Sequence, residues 1–411
     1  MTPGAGVVVR SEEAPVPGTR FSSYLTSSTG RLIGLDVARG LAVFGMYAAH
    51  VGPEPTVGGA QGWLMEVARG RPATLFALLA GFSLVILTGR PEPKTGREGR
   101  QAMGRVLIRS AVLIGLGFAL TTLDTPVDVI LAAYGMLFVL ALPLNRLPAG
   151  TLAVIAAATA LVMPPVLYLL QVATEDGSWS DTVIALDPLA RITGSDGFVE
   201  LFVTGEYPVL TWFPFIMAGM VVARLDLTRP RVLGKVAVTG GALAVLGYGG
   251  SWLALRLVPG AQSAVAAATD GGSAASAWWS DTVGDPTAFT PYWLLVAAPH
   301  SQTTWSIVGN TGVALAVLAL CFIATSRAAL VRRPTSPIAA VGSIALTAYV
   351  GHIVAIWALG IDHLPDSAAL PVLLGFIAVT TLLALAWTYG FRRGPLEYLM
   401  HAATTPARLI T

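Results

Sequence analysis

Arg31-Leu-Ile-Gly-Leu-Asp36-Val-Ala-Arg39-Gly40-Leu-Ala-Val-Phe-Gly-Met46-Tyr47-Ala-Ala-His50 is the stretch on which the fold turns. It opens on charges, runs through ten uncharged residues and ends on a histidine. Asp36 and Arg39 are three apart, so on a helix they share a face. Arg39 and His50 are eleven apart, close to three whole turns, which places His50 over the same face roughly 16 Å further along the axis. Ionisable groups on a membrane helix face the bundle interior, where a polar path can solvate them. A second reading stays open at this point. Asp36 and Arg39 could form a salt bridge and anchor where the helix starts, with His50 an interfacial residue where it ends.

The rest of the chain makes this stretch a membrane helix. Of 411 residues, 54% are hydrophobic and 12% charged, with a mean hydropathy of +0.69. Soluble domains carry about 25% charged residues. Apolar segments near 33–52, 72–89, 104–122, 127–144, 150–172, 208–225, 234–257, 304–326, 337–360 and 367–389 predict about ten spans, each near the ~20 residues that a bilayer needs. With both termini cytoplasmic, all of the 25 Lys and Arg except Arg69, Arg71, Arg191 and Arg256 fall inside, while 16 of the 23 acids fall outside. That is the positive-inside pattern. The predicted fold is therefore an all-α, polytopic helical bundle. Residues 1–30 read as a flexible cytoplasmic tail, 31–395 as the transmembrane domain and 396–411 as a cytoplasmic C-terminal tail. The lone Cys321 forms no internal disulfide and reads as a packed small hydrophobe. Arginine far outnumbers lysine and Ala, Gly and Val are abundant, which suits a bacterial source and its plasma membrane. The basic cytoplasmic runs suit topology and lipid headgroups, and nothing points to nucleic acid.

Two outer loops are longer than connectors need to be. Residues 173–207 hold Glu175, Asp176, Asp181, Asp187, Asp196, Glu200 and Glu206 with Trp179. Residues 258–303 hold Asp270, Asp281 and Asp285 with Trp278, Trp279, Tyr292 and Trp293. Acids and aromatic rings together suit a saccharide. Trp293 and Trp305 read better as interfacial belt residues, and Trp278-Trp279 fit either role. No repeat of the Asp-x-x-Arg-Gly pattern appears, which weighs against an alternating-access transporter.

Several motifs carry a family resemblance. Leu35-Asp36-Val37-Ala38-Arg39-Gly40 resembles the first-helix signature of transmembrane acyltransferases of the heparan-α-glucosaminide N-acetyltransferase-like and YeiB-like branches. Arg39, ten residues and His50 are similar to the first helix of acyltransferase family 3. Gly70-Arg71-Pro-Ala-Thr-Leu-Phe76-Ala-Leu-Leu-Ala-Gly81, Tyr207-Pro208-Val-Leu-Thr-Trp212 and Gly219 resemble later segments of these families. So do Pro299-His300-Ser301-Gln-Thr303-Thr304, Leu346-Thr347-Ala-Tyr349-Val-Gly-His352 and Gly394-Pro395-Leu396-Glu397-Tyr398. The heparan-type branch has its proposed catalytic histidine further along, before a Trp-x-Gly-like turn. Here that region reads Ala60-Gln61-Gly62-Trp63, so His50 must take the role.

The resemblance implies an acyl-CoA-dependent O- or N-acyltransferase. Its donor would be acetyl-CoA or another cytoplasmic acyl-CoA, and its acceptor a saccharide or lipid-linked molecule on the outer side. His50, His300 and His352 are the candidate catalytic bases, since imidazole titrates near neutral pH. Ser301, Thr303, Thr304 and Tyr349 are candidates for holding an oxyanion or the acceptor. Arg39, steadied by Asp36 and helped by Arg31, would hold a phosphate of CoA while the pantetheine arm runs up to His50. No short two-histidine spacing predicts a metal site. A transporter or carrier of a lipid or small hydrophobic solute is the alternative, as is a non-catalytic envelope component. Membrane lipids are expected partners, and a homodimer is one assembly open to the chain.

Overall fold

The structure, a computed structural model, describes residues 32–411 except 91, 176, 178, 270–273, 281–289, 328, 362–363 and 392. The expected tail, Arg31, His363 and the loop acids Asp176, Asp270, Asp281 and Asp285 lie outside the described residues.

The chain folds as α1 Ile33–Val51, α2 Gly59–Ala68, α3 Arg71–Thr88, α4 Gly96–Thr121, α5 Leu131–Ala141 and α6 Ala149–Glu175. Two short helices follow, α7 Ser180–Leu186 and α8 Pro188–Thr193. Next come α9 Val209–Ala223, α10 Pro230–Ala244, α11 Gly250–Leu257 and α12 Ala261–Ala267. The last five are α13 Thr304–Arg327, α14 Ala329–Ser343, α15 Ala345–Leu359, α16 Asp366–Gly390 and α17 Pro395–Ala403. No strand occurs among the described residues. Each apolar segment read from the sequence coincides with a helix or helix pair. Six described helices are long and apolar enough to cross a membrane, or seven when the bent pair α14–α15 is one span. Helix α1 has the length but carries Asp36 and Arg39, and α5 and α9 are shorter.

Burial sorts the bundle into layers. The apolar window of α2–α3 is 67% buried, whereas that of α16 is 17% buried and those of α6 and α10–α11 are 22% buried. The second group is the lipid-facing rim. The middle is built by α1, α3, α9, α13 and α14, which pack on one another in pairs. Two crossings depend on glycine. A Cβ on Gly81 of α3 would sit 2.0 Å from the Ile216 carbonyl oxygen of α9, and one on Gly219 of α9 would sit 1.9 Å from that of Leu78. Gly40 of α1 and Gly342 of α14 face Ile338 and Asp36 in the same reciprocal way, at 2.1 and 1.8 Å. Lipid offers no hydrophobic drive for helix pairing, so small residues that let backbones touch supply the packing energy.

The single span expected over 337–360 is instead broken at Ile344, with an 81° bend between its halves. Glu397 of α17 supports the break. Its Oε1 accepts the amide N–H groups of Leu346 (2.8 Å) and Thr347 (3.2 Å), and its Oε2 accepts the Thr347 hydroxyl at 2.6 Å. A carboxylate here satisfies amides that the first turn of α15 leaves open and suits the positive end of its dipole. Glu397→Ala is expected to lower stability by about 1–2 kcal/mol in detergent, read by thermal unfolding. Glu397→Gln, which keeps an acceptor, loses less.

Trp293 is not a belt residue. It is buried with Leu255, Val265 and Ala277 in a small apolar cluster apart from the main core.

Candidate active site

The end of α1 delivers His50 to a cavity of about 210 Å³ that is also lined by Arg69, Asp128, Glu206, Tyr207 and His300. His50 Nδ1 lies 2.8 Å from His352 Nε2, with the two rings nearly coplanar at 8°. His352 is buried at 2% exposure, its ring flanked by those of Tyr47 and Tyr349 at 4.9 and 5.2 Å. Its Nδ1 is buried near the carbonyls of Ala348 and Tyr349, out of line for a good hydrogen bond. Those carbonyls can only accept, so they favour a proton on that nitrogen. His352 Nε2 then accepts from His50 Nδ1–H, which leaves His50 Nε2 with its lone pair free. His352 thus contacts His50 and does not itself line the cavity.

His300 reaches the same cavity from the loop before α13. Its Nδ1 is 2.8 Å from Glu206 Oε1, close but imperfectly aligned. Burial pushes the Glu206 carboxyl up, but the neighbouring His300 outweighs that and holds it below the usual carboxylate range. Of the other loop candidates, Thr303 donates to the Val296 carbonyl and the Thr304 hydroxyl donates to Ala160 at 2.9 Å. Ser301 is buried, and its hydroxyl has no hydrogen-bond partner among the described residues. Tyr349 accepts the Ile130 amide at 3.3 Å and lines a different cavity. Arg69 pairs with Glu54.

That second, inner cavity holds about 370 Å³. Phe76, Leu79, Tyr134 and Phe138 form part of its apolar wall, and Arg39, Arg109, Arg393, His401 and Glu397 are its basic and acidic lining. Met46 lines both the inner and the outer cavity. Arg39 and Ser343 also border a vestibule of about 1070 Å³ with Arg90, Lys94 and Arg224. Arg39 donates to Asp36 at 3.3 Å and to Ser83 at 2.6 Å, so its head is fixed between the two spaces. Arg109 Nε is buried with no hydrogen-bond partner among the described residues. His401 is held below its ordinary value by burial and by the charges of Arg393, Arg109, Arg408 and Arg105. Like charges gathered this closely leave room for an anion.

The structure thus brings His50, His300 and His352 to one place, and Arg39 with Asp36 to the other end of α1. Asp128, Arg109, Arg393 and His401 were not singled out by sequence, Glu397 entered only as part of the C-terminal family motif, and Glu206 was only one of many loop acids. Among the described residues no group of three or more His, Cys, Asp or Glu is arranged to hold a metal ion.

Fold and site together define a polytopic membrane protein with a histidine-lined chamber that meets a basic inner cavity at Met46. Residues 31–247 match the family described as heparan-alpha-glucosaminide N-acetyltransferase, catalytic, and the chain belongs to that family. Membership makes it a multi-pass membrane protein of acetyltransferase type. Residues 274–407 match a protein family of unknown function, DUF418. No curated protein matches the chain. The site draws on both segments, with His50 and Glu206 in the first and His300, His352 and His401 in the second.

Proposed function

We propose that the protein transfers an acetyl group from cytoplasmic acetyl-CoA to an amine or hydroxyl on the outer side of a bacterial plasma membrane. On this reading the chain crosses ten times with both termini inside, and the acceptor is a saccharide or a lipid-linked molecule. One observation carries the proposal. The inner cavity gathers Arg39, Arg109 and Arg393 with a largely apolar wall, and it shares Met46 with the polar histidine chamber. An acyl-CoA has that pattern in reverse, with phosphates at one end, a thin arm, and a thioester at the other. Arg39, Arg109 and Arg393 suit the phosphates, and the wall suits the arm.

At the thioester, the acceptor X–H loses its proton to imidazole as X bonds to the carbonyl carbon. The C–S bond then breaks, and the proton passes through His50 Nε2 to the sulfur. The other product is CoA-SH. His352 holds His50 in the tautomer this needs.

Acetyl-CoA at a hundred times its Kd is expected to stabilise the purified protein by about 2.7 kcal/mol, read as a rise in Tm. Arg39→Ala and Arg109→Gln should each lose most of that rise. No rise in the wild type with any acyl-CoA would remove the donor from the proposal and favour a carrier.

A further inference from the structure

His300 occupies an unusual backbone. Its φ is +58°, and that of Gln302 is +57°, so two non-glycine residues in three adopt the left-handed region. Each costs roughly 1–2 kcal/mol and persists only where its surroundings fix it. Here the fixing group is the Gln302 side chain. Its amide donates to the Glu206 carbonyl at 2.9 Å and accepts the Thr211 hydroxyl at 2.8 Å. The Ser301 carbonyl is held by Trp293 Nε1 at 3.2 Å. The histidine loop is therefore tied to the turn that carries Glu206.

The ring of His300 packs against Tyr207 and Trp212, with centroids at 5.5 and 6.1 Å. Gly70 makes space for it. A Cβ there would lie 3.3 Å from the ring's Nε2 and 2.8 Å from Pro299 Cβ, and the φ of +66° already favours glycine. With Nδ1 on Glu206, this arrangement fixes the ring in the chamber wall with its Nε2 edge beside Gly70.

We infer that His300 and Glu206 form a second proton relay, dedicated to the acceptor, with Glu206 and Gln302 as positioning residues. The inference rests on the acetyltransferase reading above. Two imidazoles face one small chamber, and they differ in what stands behind them. His50 is backed by a neutral imidazole and ends the helix that carries Met46, which places it on the donor side. His300 is backed by a carboxylate, which stabilises the imidazolium formed when it takes a proton. Asp128 and Arg69 are the other charged groups on the chamber wall. In the step, His300 Nε2 takes the proton of X–H while X bonds to the acyl carbon. The proton then crosses the chamber to His50 and reaches the departing sulfur. A long or misaligned Nδ1 contact before substrate binds is common in such relays.

The test compares two acyl acceptors with the full chain in detergent and acetyl-CoA as donor. Water needs a base to attack. Hydroxylamine, whose nitrogen lone pair is free at neutral pH, needs far less help. Glu206→Gln is expected to slow hydrolysis of acetyl-CoA about a hundredfold while leaving acetohydroxamate formation within about threefold of wild type. Glu206→Asp should recover part of the hydrolysis, and Gln302→Ala should shift the same ratio in the same direction. The rise in Tm with acetyl-CoA, unchanged in Glu206→Gln, reports that the variant is folded and binds donor. Equal loss of both reactions, or loss of neither, overturns the relay. A wild type that binds acetyl-CoA and consumes it with neither acceptor overturns it as well. Failure of the wild type to bind acetyl-CoA overturns the acetyltransferase reading itself.

Discussion

His50→Ala is expected to lose acetyl transfer by about a thousandfold or more, while its melting temperature stays near that of the wild type and still rises with acetyl-CoA. General base catalysis by a positioned imidazole contributes about 10²–10⁴. His50 sits at the upper end of that range because, on the proposed chemistry, the proton reaches the departing sulfur only through it. Its free Nε2 is the last station before the sulfur, and its Nδ1 bond to His352 sets its tautomer. Donor binding is expected to survive because, on the proposed reading, Arg39 and Arg109 of the inner cavity hold the phosphate end, and His50 lines the other cavity. His352→Gln, which retains an acceptor for His50 Nδ1, should fall between the two. A His50→Ala protein with full activity would falsify the mechanism outright.

The second large effect is structural. Gly342→Ala is expected to cost about 3 kcal/mol or more and to leave little folded protein after detergent extraction. The added Cβ would stand 1.8 Å from the Asp36 carbonyl oxygen, and backbone cannot swing aside as a side chain can. Separating α14 from α1 also moves the Asp36–Arg39 pair and unseats the bend at Ile344. Gly375→Ala is the control. Gly375 lies on the exposed face of α16 with nothing within 4 Å of a new Cβ. There the same change should be neutral or stabilise by up to about 1 kcal/mol, since alanine loses less entropy in a helix. Opposite signs for one substitution would establish that close backbone contact, rather than helix propensity, sets the first result.

The bundle was legible because lipid demands long apolar runs, and each run left its mark in the chain. Asp36, Arg39 and His50 were legible as one stripe because helical spacing is local information. The break at Ile344 was hidden, since the group that supports it, Glu397, lies about fifty residues further on. Pairing His50 with His352 spans 302 residues, and no period reveals such a contact. It came within reach only through the family motifs. Glu206 stood among several acids in a loop, and only the fold shows that it pairs with a catalytic candidate, His300. Asp187, by contrast, uses both carboxylate oxygens to bind the amides of Leu189 and Phe198, a purely local task. The left-handed turn at His300 had no signal at all, because glycine or asparagine would mark such a turn and neither is present.

Met46, where inner and outer cavities meet, carries an electrical consequence. On the proposed chemistry, an acyl group is carried outward past this side chain as a thioester, and the proton that replaces it joins the sulfur in the chamber and returns inward as the uncharged thiol. CoA keeps its charge when thioester becomes thiol, and so does an acceptor when X–H becomes X–acyl. The exchange is therefore electroneutral, and turnover should be indifferent to membrane voltage. An apolar thioether at the junction suits such a catalyst, because it lets an uncharged group pass while insulating the two compartments against ion leak. The bilayer then stays sealed while one side is chemically decorated from the other.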